Sequence, residues 1–139
     1  GAQRPDSWTK YFNPGLIICP KTRIRANEVA DMKVIGDVEG KNIIVVDDMI
    51  DTAGTICKAA DMLIDNGAAS VRAVATHAVL SGKAYENIEK SKLTEVIFTD
   101  SIPQKQPCSK IKVLPIAPMF ADTIRNIYEH KSISDHFLM

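Results

Sequence analysis

The residues of this chain best suited to chemistry lie in one run, Val45-Val46-Asp47-Asp48-Met49-Ile50-Asp51-Thr52-Ala53-Gly54-Thr55. Two carboxylates close an apolar stretch, and a loop of small and hydroxyl-bearing residues follows. Where such a loop enters a helix, small side chains let backbone N–H groups approach an anion, hydroxyls add donors, and the helix dipole favours negative charge. That combination suits a phosphate monoester. Asp47 and Asp48 would then accept hydrogen bonds from vicinal hydroxyls of the ligand or help hold a hydrated Mg²⁺. A competing reading needs no ligand: the two aspartates start a turn and Thr52 caps the helix. A basic group, Lys21-Thr22-Arg23 with Arg25 close by, reads on its own as a solvated polar loop.

These residues need elements to position them. The run begins in a β-branched stretch, Asn42 to Val46, and leads into Ile56, Ala59, Ala60, Leu63 and Ile64, which recur at helical spacing until Asn66-Gly67 supplies a stop. Further strands are expected at 16–19, 71–76, 96–99 and 111–114. Further helices are expected at 82–90 and 117–130, the last with a stripe of Phe120, Ala121, Ile124, Ile127 and Tyr128. Strands alternating with helices predict an α/β fold, a mostly parallel sheet flanked by helices, with a ligand at the carboxyl ends of the strands. Between residues 20 and 40, charge and short β-like pieces such as Val34-Ile35-Gly36-Asp37 predict an exposed loop or small flag-like hairpin.

A chain of 139 residues with 45% hydrophobic content is expected to form one domain. Its 17 basic and 17 acidic residues balance, so no global field draws it to nucleic acid or to an anionic membrane. The apolar runs are too short to span a bilayer, and no signal pattern opens the chain. Cys19, Cys57 and Cys108 lie far apart, without metal-ligand spacing, and fit reduced thiols. Together these features predict a cytoplasmic protein. The opening, with Trp8, Tyr11 and Phe12 offering an apolar face, reads as a segment already under way.

The run from Val45 to Thr55 resembles the motif of type I phosphoribosyltransferases and, more closely, that of ribose-phosphate pyrophosphokinases (PRPP synthetases). The likeness to the latter extends to Gly1-Ala2-Gln3-Arg4, to 34–41, to Thr76-His77-Ala78-Val79-Leu80-Ser81-Gly82 and to Thr99-Asp100-Ser101-Ile102-Pro103, and so covers essentially the whole chain. It implies a phosphoribosyltransferase-like, Rossmann-like fold. It also implies an enzyme that transfers the β,γ-diphosphoryl group of ATP to the C1 hydroxyl of ribose 5-phosphate with Mg²⁺. The products are phosphoribosyl diphosphate, for nucleotide biosynthesis, and AMP. By the same resemblance Asp51, Thr52, Ala53, Gly54 and Thr55 hold the 5-phosphate, and Asp47 and Asp48 the ribose hydroxyls. Lys21 and Arg23 would be catalytic, clamping the transferring phosphates; Thr22 and Ile24 depart from the family's usual residues but leave both charged positions intact.

Ser81-Gly82 corresponds to a regulatory or subunit surface, with a simple helix cap as the alternative. Ser132 and Ser134 match a terminal Ser-x-Ser that contributes to an allosteric phosphate or nucleotide site. His77, after a strand, reads as a structural hydrogen-bonding residue. Residues 1–139 would be the C-terminal of two similar domains, the N-terminal one, with most of the adenine site, being absent. Such a piece is expected to bind ribose 5-phosphate weakly and to have little or no synthetase activity, whereas the full-length protein would form dimers that assemble into hexamers. A type I phosphoribosyltransferase and a noncatalytic PRPP synthetase-associated regulatory subunit are the alternatives.

Overall fold

The computed structural model describes the backbone of residues 21–25 and 28–32, and residues 37–134 with their side chains. The expected strand at 16–19, the Trp8 face, Cys19 and the piece 34–36 lie outside the described residues. The charged stretch after residue 20 forms an antiparallel pair, β1 (Lys21–Arg25) with β2 (Glu28–Met32), whose register shifts on both sides of Arg23. This is the anticipated flag-like hairpin. Then follow β3 (Asn42–Ile50), α1 (Gly54–Asp65), β4 (Ser70–Ala78), α2 (Ala84–Lys90), β5 (Glu95–Thr99), β6 (Ile111–Leu114) and α3 (Ala117–Tyr128). The chain divides into two units: β1 through β6 belong to the first, α3 and the residues after it to the second.

Strands β3 to β6 form one parallel sheet in chain order. The order has a consequence. Right-handed crossovers that step always in the same direction put every connecting helix on the same face. The alternating burial along β4 agrees: Val71, Ala73 and Ala75 are buried with Ile43 of β3 and with Val96 and Phe98 of β5, in one core that also takes Ile56, Cys57, Ala60 and Leu63 of α1 and Ala84 and Ile88 of α2. On the other face Ile44 is 64% and Leu114 56% exposed. Helix α1 stops where Asn66 caps it and Gly67 turns at φ 95°, a conformation that favours glycine. Burial raises the Cys57 and Cys108 thiols above their ordinary pKa, Glu89 adding to the effect at Cys108, and both are free. The apolar stripe of α3 is exposed, Ile124 by 64% and Tyr128 by 85%.

A polar row ties the four strands together near their amino ends. Ser70 Oγ donates to Asn42 Oδ1 at 2.6 Å, Arg72 Nη1 to Ser70 Oγ at 3.2 Å, Arg72 Nε to Glu95 Oε1 at 2.8 Å, and Lys112 Nζ meets Glu95 Oε2 at 2.7 Å. Lys112 first and Arg72 second hold the Glu95 carboxyl below its ordinary value of 4.5, against a smaller upward push from burial. A depressed carboxylate contributes stability above its unfolded pKa and loses it as pH falls through the folded value. Stability should therefore drop below about pH 4.5, and Glu95→Gln should flatten that dependence. Melting temperatures of both proteins between pH 6 and pH 3 measure it; parallel curves would deny Glu95 the role.

Candidate functional site

Strand β3 runs four residues past the expected 42–46, to Ile50, so that Asp47 and Asp48 are strand residues and the loop starts only at Asp51. The apolar run looked complete at Val46 because the aspartates mimic a turn, but pairing with β4 continues through Asp47↔Ala75, Met49↔His77 and Ile50↔Ala78. The pleat sends successive side chains to opposite faces. Asp47 therefore stands with Val45 and Ile43, and Asp48 with Val46 and Ile44. Each aspartate also accepts from the next backbone N–H, Asp48 N to Asp47 Oδ1 at 3.0 Å and Met49 N to Asp48 Oδ1 at 2.9 Å. The two carboxylates thus flank the strand's end, one on each side.

The loop then enters α1 without a side-chain cap. Its N-cap residue is Ala53, not Thr52, in the left-handed conformation at φ 61° and ψ −2°, and no acidic residue occupies the first turn. The reading of Thr52 as a cap is corrected: with Ala53 in αL, the helix starts one residue too late for the Thr52 hydroxyl to serve. An L-residue in αL costs roughly 1–2 kcal/mol, so something else must hold it there. The positive end of the helix is left with neither a capping side chain nor a carboxylate, as an anion site requires.

What holds the loop comes from the segment after β4. Leu80 N donates to Ile50 O and Ser81 N to Asp51 O, both at 3.1 Å, and Asn87 Nδ2 of α2 donates to Thr52 O at 2.9 Å. Ser81 Oγ donates to Asp51 Oδ1. Ser81 is thus not a side-chain cap for α2, which begins at Ala84 with Lys83 as its N-cap residue; its hydroxyl is turned to the loop instead. Asn87 was not singled out by the sequence, and no local signal marks it, since its partner lies 35 residues away.

Beside β3 the ends of β4 and β5 add a polar cluster. Ser101 Oγ donates to Thr76 O at 3.1 Å, Thr99 Oγ1 to the same carbonyl at 2.7 Å, and His77 Nδ1 lies 2.9 Å from Ser101 Oγ. The Ser101 hydroxyl stands within hydrogen-bond reach of both the Thr76 carbonyl and the His77 ring. The hydrogen-bonding reading of His77 thus has a partner.

The structure therefore brings Asp47, Asp48 and Asp51 to Thr55 together at one strand's carboxyl end. Lys21 and Arg23 lie on the backbone of β1, opposite Met32 and Val29, in the hairpin and outside the parallel sheet. Ser132 and Ser134 bond to each other through their hydroxyls after α3, with Ser134 N donating to Ser132 Oγ at 3.1 Å. Among the described residues, no three His, Cys, Asp or Glu side chains gather to hold a metal ion. A Mg²⁺ that keeps most of its waters and binds one carboxylate together with substrate phosphates would fit either Asp47 or Asp48. No described helix is long and apolar enough to cross a membrane.

Residues 16–138 match the family described as the phosphoribosyl synthetase-associated domain. The chain is 48% identical over 134 residues to a ribose-phosphate pyrophosphokinase of Porphyromonas gingivalis, across 96% of this chain and 43% of that protein. It is 52% identical over 138 residues to one of Wolinella succinogenes, across 99% and 45%. The solved phosphoribosylpyrophosphate synthetase of Mycobacterium smegmatis superposes with a TM-score of 0.81 at 37% identity, over 92% of this chain and 42% of that one. The chain spans less than half the length of these relatives.

Proposed function

Because the chain belongs to the phosphoribosyl synthetase-associated domain family, we propose that it is the C-terminal, ribose 5-phosphate-binding domain of a ribose-phosphate diphosphokinase. The observation that carries this is the uncapped start of α1 behind Asp51 to Thr55, set at the end of the strand that bears Asp47 and Asp48. The 5-phosphate sits on the loop, receiving backbone N–H groups and the hydroxyls of Thr52 and Thr55. Asp47 and Asp48 accept from the ribose hydroxyls and orient C1 toward the donor. Lys21 and Arg23 clamp the ATP phosphates; phosphoryl transfer asks mainly for positioning and neutralised charge, which a point-like ammonium and a forked guanidinium both supply. When bound, Mg²⁺ neutralises the transferring phosphates. ATP and ribose 5-phosphate are the substrates, phosphoribosyl diphosphate and AMP the products, in a cytoplasmic, dimer-based hexamer of the full-length protein.

Two measurements test this. With ribose 5-phosphate at about 1 mM, a level set by the weak affinity expected of a half site, the amide resonances of Asp51 to Thr55 should shift in the 139-residue chain. Unmoved amides would sink the site. The full-length protein should release AMP from ATP plus ribose 5-phosphate, while the 139-residue chain releases little or none. A turnover that needs a free base and phosphoribosyl diphosphate would favour a phosphoribosyltransferase instead.

A further inference from the structure

Three consecutive carbonyls, from the last residue of β3 into the phosphate loop, are taken by one neighbouring segment: Ile50 O by Leu80 N, Asp51 O by Ser81 N, and Thr52 O by Asn87 Nδ2. In a trans peptide the C=O of one residue and the N–H of the next point to opposite sides. Drawing those carbonyls toward 80–87 would turn the N–H groups of Asp51, Thr52 and Ala53 away from it, a row of donors of the kind that binds anions. The first two bonds are backbone to backbone and follow directly on the β3–β4 pairing, which ends at Ile50↔Ala78. The third rests on one side chain. It also holds the peptide leading into Ala53, whose φ of 61° needs support from outside.

We propose that Asn87 is a positioning residue for the phosphate loop, holding the Thr52–Ala53 peptide so that its N–H faces the ligand, with Ser81 steering the Asp51 carboxylate aside. The proposal rests on the ribose 5-phosphate reading above. Asn87 touches no ligand; it acts through Thr52. Ser81 engages Asp51 Oδ1, which keeps that negative charge on the α2 side and away from an incoming phosphate. The short helix α2 thereby becomes part of the site although none of its residues belongs to the loop.

The test uses the 139-residue chain and ribose 5-phosphate, followed by amide spectra. Asn87→Ala removes the donor without harming α2, since alanine is a strong helix former. Affinity should fall about five- to tenfold, the worth of one hydrogen bond of this kind. Asn87→Asp, isosteric but facing the Thr52 carbonyl with negative charge, should lose more. The free-state Ala53 amide should move in both variants, because the carbonyl of its own peptide group has lost its donor, while the amides of β5 stay in place. Glu86→Gln, on the exposed side of the same helix where Glu86 pairs with Lys90 at 2.5 Å, is the control and should bind as the parent does. Affinity within twofold of the parent in Asn87→Ala, an unmoved Ala53 amide, or an equal loss in the control would overturn the proposal. A parent chain that ignores ribose 5-phosphate would remove the site itself, whereas a parent that binds beside variants that bind equally well would remove only the role of Asn87.

Discussion

Lys21→Ala in the full-length protein should lower the rate of AMP formation on the order of 10²–10³-fold, the loss typical when one preorganised charge-stabilising donor is taken from a transition state. The Michaelis constant for ribose 5-phosphate should move only a few-fold. On the proposed reading, the loop with Asp47 and Asp48 would hold ribose 5-phosphate through its 5-phosphate and hydroxyls, contacts that Lys21 would not serve. On that reading the ammonium would act when the diphosphoryl group is between donor and acceptor, so its removal should weaken a contact made chiefly in the transition state and lower kcat with kcat/KM. Lys21 of β1 pairs through its backbone with Met32 of β2, so side-chain truncation leaves the hairpin ladder intact. Arg23→Lys keeps the charge and loses the fork, and should cost less than Lys21→Ala but more than a neutral surface exchange. Steady-state kinetics decide: a raised Michaelis constant with unchanged kcat would make Lys21 a ground-state binding residue.

Phe98→Ala should destabilise the chain by about 3–5 kcal/mol, a large share of the roughly 5–15 kcal/mol that holds a domain of ordinary stability. Phe98 is 1% exposed, and in the parallel ladder it sits between Ala75 on β4 and Val113 on β6. Its neighbours on the core face of β4, Ala73 and Ala75, have no side chain that can swing into the gap. The cavity would therefore stay open, which puts the cost at the upper part of the range seen for large-to-small changes. Urea denaturation should show a lower midpoint with an unchanged slope. Ile44→Ala, on the exposed face of β3, is the internal comparison, with an expected loss under about 1 kcal/mol because little burial is given up. Equal losses at the two positions would mean that the core does not lie on the α1–α2 face.

Much of the fold was legible because its causes are local. The spacing of Ile56, Ala59, Ala60 and Leu63 announced α1, and the Asn66-Gly67 stop fell where the structure ends it. The strands 71–76, 96–99 and 111–114 are all present, and α3 covers 117–128 of the expected 117–130. Misreadings gathered at the site. Asp47 and Asp48 resembled the start of a turn, yet they extend β3, because ladder partners on β4 outweigh the low strand preference of aspartate. Thr52 and Ser81 resembled caps, and neither is one: each helix begins after its hydroxyl, and Ser81 is bonded to Asp51.

The sequence by itself determined the order of strands and helices, the α/β class, and the chemistry available at Asp47 to Thr55, since periodicity, small residues and charges act over a few neighbouring positions. Only the tertiary structure decided that Asp47 and Asp48 flank their strand on opposite faces, that α1 and α2 share one side of the sheet, and that Asn87 and Ser81 hold the loop. Those facts depend on strand register and on the direction in which each crossover steps. Neither is a property of any short stretch of chain; both arise when β3 and β4 pair in parallel and bring residues 30 and 35 positions apart within a hydrogen bond.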